Sequence, residues 1–177
     1  MNGTKRDTET ARQIYQDLLD RIARAYETND FEDYARMIRI PHHISSYGPP
    51  VQLDTKADLR ALFDNVRTHF ANLEVTDYVR TCLSARFVKD DQIIGMHETR
   101  ILIKTRTLEE PYPVQSRLRF HDDAWWVCES DNAVEPERGF GRVLKKTRVD
   151  RGAAPVQQHS NIGATRSPLI KGEVSND

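Results

Sequence analysis

The chain has 177 residues, of which 38% are hydrophobic and 30% are charged, and its formal net charge is −1. These totals predict one domain of ordinary size with a single core. They exclude a membrane-spanning helix, because no apolar run approaches the roughly 20 residues that such a helix needs. The N-terminal residues also lack the apolar segment of a signal peptide, and the two cysteines show no paired spacing. We therefore expect a cytoplasmic protein.

Charge is distributed unevenly along the chain. Residues 138–177 hold eight Lys or Arg against three Asp or Glu, whereas residues 1–137 hold 18 against 24. We expect a flexible N-terminus at 1–7, a folded domain at 8–137 and a basic, disordered tail at 138–177. The tail fits a solubilising or partner-binding segment better than a nucleic-acid arm, because no nucleic-acid-binding motif accompanies its charges.

Helical periodicity dominates the first part of the domain. Apolar residues recur at three- and four-residue steps over about residues 8–26, which predicts an amphipathic helix. A short second helix is expected over residues 31–38, with Asp30 as its N-cap. A third begins near Thr55, which has capping-box spacing to Asp58. Each helix has one apolar face, so each should pack against a sheet.

Alternating apolar and polar residues predict the strands. The predicted strands are His42–Tyr47 with its hairpin partner Val51–Leu53, then Val75–Val88, Gln92–Thr107, Val114–His121 and Trp125–Asn132. Because side chains two positions apart on a strand share a face, His97 is expected beside Thr99, and Glu129 beside Trp125. By the same rule the odd-numbered residues of 79–87 share one face. The predicted fold class is α+β.

The order of helix, short helix, hairpin, helix and strand meander resembles the nuclear transport factor 2-like superfamily, and within it the SnoaL-like domain proteins. The resemblance rests on residues 24–34, where Asn29-Asp30-Phe31 joins two helices, on residues 55–63 at the start of the third helix, and on residues 123–127, where Trp follows a turn. It implies a cone-shaped, curved, mostly antiparallel sheet wrapped around about three N-terminal helices, the cystatin-like roll. It also implies a ligand pocket in the mouth of the cone and a homodimer that covers the other face of the sheet.

The resemblance implies a pocket lined by the first helix and by inward-facing strand residues. The candidate pocket residues are Tyr15, Tyr26, His43, Tyr47, His97, Thr99, Ser116, Trp125 and Glu129. The tyrosines have the alternative of being ordinary core residues. Since His42 and His43 are adjacent, they point to opposite faces of a strand and cannot readily chelate one metal ion. No other spacing of His, Cys or Asp predicts a metal site, and no cofactor is expected.

Glu129 and His97 are the candidates for acid–base chemistry. Burial beside apolar walls would raise the pKa of Glu129, and His97 could serve as a base or a hydrogen-bond donor. The alternatives are an ion pair between Glu129 and Arg117 or Arg100, and a purely packing role for His97. The sequence leaves these alternatives open.

Three functions follow from this interpretation. The leading one is binding of a small, partly apolar molecule in the cone without catalysis. The second is a small cofactor-independent isomerase, dehydratase, cyclase or hydrolase that uses Glu129 or His97. The third is a dimeric interaction module whose basic tail engages a protein or, less in keeping with the sequence, a nucleic acid. A membrane partner is not expected.

Overall fold

The computed structural model describes residues 3–150, and the side chains of residues 7–150. The helices within this range are α1 (Gly3–Thr28), α2 (Phe31–Ala35), α3 (Lys56–Asn72) and α4 (Gly139–Asp150). The strands are β1 (Ile38–Ser45), β2 (Val51–Leu53), β3 (Asp77–Lys89), β4 (Gln92–Ile103), β5 (Arg106–Thr107), β6 (Tyr112–His121) and β7 (Ala124–Asn132). The predicted α+β class is confirmed. None of the described helices combines the length and apolar character needed to cross a membrane.

The strands form one mixed sheet in the order β2-β1-β7-β6-β4-β3, with β5 paired to β4. Its neighbours run antiparallel except β1 and β7, which are parallel. The free edge of β3 is bonded to α1: the Gln16 side-chain amide donates to the Arg80 carbonyl at 2.9 Å and accepts from the Cys82 amide at 2.7 Å. Because an unpaired edge otherwise exposes backbone groups, this contact draws the sheet around the helix.

The predicted helix caps are confirmed. The Asp30 carboxylate accepts from the Asp33 amide at 2.9 Å. The Thr55 hydroxyl accepts from the Asp58 amide at 3.1 Å, and the Asp58 carboxylate accepts from the Thr55 amide at 3.0 Å, which completes a capping box. The second helix is shorter than predicted. It ends at Ala35 because the chain turns into β1, which begins at Ile38.

Three register shifts change the side-chain alternation of the long strands: one in β7 and two in β3, the second of these between Phe87 and Lys89. In β7, Leu118 of β6 pairs with Val127 and Arg117 pairs with Glu129, so Cys128 is an extra residue. In β3, Cys82 and Ser84 pair with consecutive residues of β4, so one extra residue, Leu83, lies between them. The predicted alternation is therefore wrong beyond each bulge, because an extra residue turns the following side chains to the opposite face.

The prediction of a disordered tail from residue 138 is wrong for residues 139–150, which form α4. Val143 and Leu144 are 3% and 2% exposed, and α4 is joined to α3 by the Asn65 amide, which donates to the Thr147 hydroxyl at 3.1 Å. The apolar residues of α4 recur at helical spacing, but the many basic residues between them favoured a tail. Residues 151–177 of the predicted tail lie outside the described part of the chain.

Helix α1 also begins earlier than predicted, inside the segment 1–7 that was expected to be flexible. The backbone of α1 is helical from Gly3, so the helix starts about five residues before the expected position near Thr8. Residues 1 and 2 lie outside the described range.

Candidate functional site

A cavity of about 70 Å³ lies between the concave face of the sheet and helices α1, α3 and α4. Its wall is mostly apolar and includes Leu18, Ile22, Leu62 and Val143. No Asp or Glu side chain of the described residues lines it. Drug-sized ligands usually occupy 300–1,000 Å³, so an occupant is either small or enters with rearrangement of the lining side chains.

A buried hydrogen-bonded chain forms one side of the cavity. The Tyr15 hydroxyl lies 2.7 Å from Nδ1 of His97, and Nε and Nη2 of Arg80 lie 3.2 and 3.0 Å from Nε2 of the same ring. Arginine has donors and no acceptor, so Nε2 accepts from Arg80. A neutral His97 then carries its proton on Nδ1 and donates it to the Tyr15 oxygen. This leaves the Tyr15 hydroxyl proton free to donate elsewhere, and Ser116 lies beside the same hydroxyl and lowers its pKa.

Burial fixes the charge state of this chain. His97 is fully buried, and loss of hydration together with the adjacent Arg80 cation lowers its pKa from 6.5 to about 2. Burial also raises the pKa of Tyr15 to about 12, against the smaller effects of Ser116 and Arg80. Both groups are therefore neutral near pH 7. A base whose acceptor nitrogen already accepts from a guanidinium cannot take a proton from a ligand without breaking that bond.

The ring of Tyr15 is positioned by a glycine on the facing strand. A Cβ atom at Gly95 of β4 would lie 2.5 Å from Cε2 of Tyr15, closer than Cβ atoms come in real proteins. The absence of a side chain at Gly95 thus allows the ring to lie flat against β4, with its hydroxyl beside His97.

Arg80 is the cation of the cavity. It borders the cavity with half-buried exposure and has no ion pair with any described residue. Loss of hydration raises the pKa of Tyr26, Tyr34 and Tyr112, and the positive charge of Arg80 lowers the pKa of all three by a smaller amount. The guanidinium also lies 5.8 Å from the Tyr78 ring centroid. It is therefore surrounded by neutral phenols and has no counter-ion.

His42 of β1 borders the cavity at the other end of the strand order. It is 4% exposed, and its Nδ1 has no hydrogen-bond partner among residues 3–150. Burial lowers its pKa to about 4, although the neighbouring backbone of Val127 and Cys128 acts in the opposite direction. His69 of α3 also borders the cavity and has an unpartnered Nε2. Burial, and then the charge of Arg142, lowers its pKa. Two imidazole rings at the cavity wall thus each have a buried nitrogen without a hydrogen-bond partner among the described residues.

Several predicted pocket residues meet at this cavity. Tyr15, Tyr26, Thr99 and Ser116 line it. His97 lies directly behind Tyr15, inside the same hydrogen-bonded chain but not on the cavity surface. The alternation of β4 was therefore predicted correctly for His97 and Thr99.

Two predicted pocket residues lie outside because the alternation of the first hairpin was assigned the wrong way. His43 is exposed and its Nδ1 lies 3.1 Å from the Gln52 amide oxygen. Tyr47 is 68% exposed beyond the end of β1. The inward set on β1 includes His42 and Ile44, both buried, so the neighbouring histidine faces the cavity.

Glu129 and Trp125 also lie away from the cavity. Beyond the Cys128 bulge, Glu129 faces outward and forms an ion pair with Arg117 at 3.1 Å, with its side chain 55% exposed. Trp125 packs against Phe87 and Phe120 at the opposite end of the strand. The prediction that both residues line the pocket is therefore wrong. For Glu129, the alternative of an ion pair with Arg117 is the one observed.

Sequence reasoning missed the residue with the most distinctive chemistry in the cavity. Arg80 shares one face of β3 with Tyr78 and Cys82. This face points inward up to the bulge at Leu83. The sequence signal for Arg80 was its place between Tyr78 and Cys82, which both suit an inward face. The odd-numbered residues of the strand are more apolar, and this obscured the signal. No group of three or more His, Cys, Asp or Glu among residues 3–150 is placed to hold a metal ion.

No family model matches the chain, and no curated protein matches its sequence. Solved structures do resemble it. A cystatin-like domain of unknown function from Nostoc punctiforme has a TM-score of 0.57 at 13% identity, over 83% of this chain and 90% of that one. A putative aromatic ring hydroxylase from Novosphingobium aromaticivorans gives 0.53 at 13% identity, over 71% and 89%.

A third similar structure is a hexachlorocyclohexane dehydrochlorinase of the LinA type from Novosphingobium barchaimii. Its TM-score is 0.50 at 14% identity, over 72% of this chain and 88% of that one. Nuclear transport factor 2-like proteins from Shewanella oneidensis and Cytophaga hutchinsonii are also similar in structure. At these identities the likeness establishes the fold and no activity. The chain therefore has the nuclear transport factor 2-like, cystatin-like fold that its sequence predicted.

Proposed function

We propose that the protein is a SnoaL-like binding protein that takes up a small, partly apolar organic molecule in the cavity. The observation that carries this proposal is the combination of an apolar wall with polar groups that have no protein partner. The Arg80 guanidinium has donors that no described residue accepts, and Nδ1 of His42 is unpaired. Buried polar groups are almost always hydrogen-bonded, so we expect a ligand or water to bind Nδ1 of His42. Arg80 is half-buried, so its remaining donors are free to bind a ligand or solvent.

Structural neighbours support a cyclic ligand by analogy of fold alone. Two of the similar structures are named for ring compounds, an aromatic ring hydroxylase and a hexachlorocyclohexane dehydrochlorinase. The aromatic and aliphatic residues around the cavity offer the flat, apolar contacts that a ring requires. A ring compound is thus the first class to test.

Binding without catalysis is better supported than the acid–base alternative. Glu129 lies on the outer face of the sheet, and both ring nitrogens of His97 are hydrogen-bonded within the protein. Neither residue can reach a ligand in the cavity in this arrangement. A homodimer through the outer face of the sheet stays a prediction, which the sedimentation coefficient of the purified protein would test.

The test is a thermal-shift screen of small cyclic compounds, followed by calorimetric titration of each hit. A ligand present at 100 times its dissociation constant adds about 2.7 kcal/mol to the unfolding free energy. Val143→Phe adds volume to the cavity wall, and Val79→Phe makes the same change on the outer face, where Val79 is 42% exposed. We expect binding to survive Val79→Phe and to weaken strongly in a folded Val143→Phe variant. A hit that binds all three proteins equally, or a broad screen without hits, would contradict the proposal.

A further inference from the structure

If the cavity is the binding site proposed above, the charge inside it indicates which chemical class of ligand it binds. Arg80 is the one guanidinium among the described lining residues, and no carboxylate lines the cavity. Glu109 acts on the neighbouring Tyr112, but the charges that act on Glu109 are those of Arg138 and Arg142, not that of Arg80. The cavity therefore carries an uncompensated positive charge.

The guanidinium is held in a fixed orientation. Two of its five N–H donors point to Nε2 of His97, which is itself oriented by its bond to Tyr15. His97 is fully buried and cannot move to follow a ligand. The remaining donors of Arg80 are thus presented in one plane, which is the arrangement that binds a carboxylate through two parallel hydrogen bonds.

The surroundings of Arg80 strengthen its attraction for an anion. Burial raises the pKa of the four tyrosines that Arg80 influences, so each is neutral near pH 7. They are Tyr15, Tyr26, Tyr34 and Tyr112. Electrostatic attraction is stronger between apolar walls than in water. The volume of about 70 Å³ favours a compact anion, and a ring compound enters only with rearrangement of the lining side chains.

We propose that the cavity selects small ring compounds that carry a carboxylate, and that Arg80 is the residue that recognises this group. The carboxylate would pair with the free edge of the guanidinium, and the ring would pack against the apolar wall. His42 lies on β1, which three strands separate from β3 in the sheet order. Its buried Nδ1, which has no partner among the described residues, would bind a polar substituent on the far side of the ring once the lining side chains rearrange.

Matched acids and amides test this inference in the unmodified protein. The probes are benzoate and cyclohexanecarboxylate against benzamide and cyclohexanecarboxamide, titrated by calorimetry at pH 7.5. We expect each acid to bind roughly 10- to 100-fold more tightly than its amide, the range for a charged hydrogen-bonded pair. If the amides bind as tightly as the acids, the carboxylate selectivity is refuted while the proposed cavity function stands. If neither acids nor neutral rings bind, both are refuted.

Variants of two arginines on one strand assign the selectivity to a residue. Arg80→Met removes the charge but keeps similar bulk, and Arg86→Met makes the same change at an exposed position on β3. We expect Arg80→Met to bind acid and amide equally, Arg80→Lys to keep part of the preference, and Arg86→Met to behave as the wild type. An acid preference that survives Arg80→Met would overturn the assignment.

A spectroscopic measurement covers the case in which Arg80→Met does not fold. In wild-type protein labelled with nitrogen-15 arginine, the Arg80 side-chain Nε–H resonance is identified by its loss in Arg80→Lys. We expect benzoate to shift this resonance more than benzamide does at equal saturation. Equal shifts with the two probes would refute direct contact between the carboxylate and Arg80.

Discussion

The stability of the protein should fall on mild acidification because histidines are buried in neutral form. His97 has its pKa lowered from 6.5 to about 2, and His42 has its pKa lowered to about 4. Below pH 6.5 the unfolded chain takes up protons at these positions while the folded protein does not. Proton binding therefore stabilises the unfolded state as the pH falls. The contribution of these residues to the stability of the folded protein is present above pH 6.5 and is lost below it.

The size of this effect follows from the two pKa values. Between pH 7.5 and 5.5, keeping one histidine neutral against an unfolded-state pKa of 6.5 costs about 1.4 kcal/mol. His42 contributes a similar amount, because its folded-state pKa of about 4 also lies below this window. Together these two histidines should lower the unfolding free energy of the wild type by about 3 kcal/mol over the two pH units.

Urea unfolding at pH 7.5 and 5.5 checks this magnitude and assigns it. In His97→Gln the difference between the two pH values should shrink by about 1.4 kcal/mol, whatever the change in absolute stability at pH 7.5. His43→Gln is the control, since His43 lies exposed on the solvent side of β1. If His97→Gln shows the same pH difference as the wild type, His97 is not held neutral and the direction of hydrogen bonding from Arg80 through His97 to Tyr15 is wrong.

Three further substitutions test the packing that positions the cavity, each by urea unfolding. Gly95→Ala should destabilise the protein by about 1–3 kcal/mol, because the added methyl group meets the Tyr15 ring; a loss below about 0.5 kcal/mol would show that the ring moves freely. Leu144→Ala should lower the unfolding free energy by about 2–5 kcal/mol if α4 packs as described. An unchanged unfolding free energy would show that residues 139–150 do not pack against the domain, as the predicted tail implied. Thr55→Ala should cost about 1 kcal/mol through loss of the cap on Asp58, and an unchanged midpoint would exclude that cap.

The parts of the fold that the sequence predicted are those determined by local chemistry. The Asp30 cap and the Thr55 capping box depend on residues three positions apart, and both formed as expected. The inward positions of His97 and Thr99 followed from uninterrupted alternation on β4. Where one local rule applies over a whole element, the pattern of residues was enough to predict its geometry.

The parts that could not be predicted depend on pairing between distant residues. A bulge is determined by how two strands match, so the residues of β7 alone gave no sign that Cys128 is unpaired and that Glu129 faces outward. The packing of α4 depends on contacts of Thr147 and Lys146 with Asn65, about 80 positions earlier in the chain. Arg80 was missed for a related reason, since its inward orientation depends on the register of β3 against β4.

The extra residue at Cys128 determines the sign of the electric field inside the protein. With regular pairing from Val127 onward, the same sequence would turn Glu129 and Asp131 inward and Ser130 outward. Two carboxylates would then share the interior with Arg80 and outweigh its single positive charge. Removing Cys128 altogether would leave every side chain of β7 on its present face. A shift of the pairing by one residue, with the sequence itself unchanged, is therefore sufficient to convert an anion-attracting interior into a cation-attracting one.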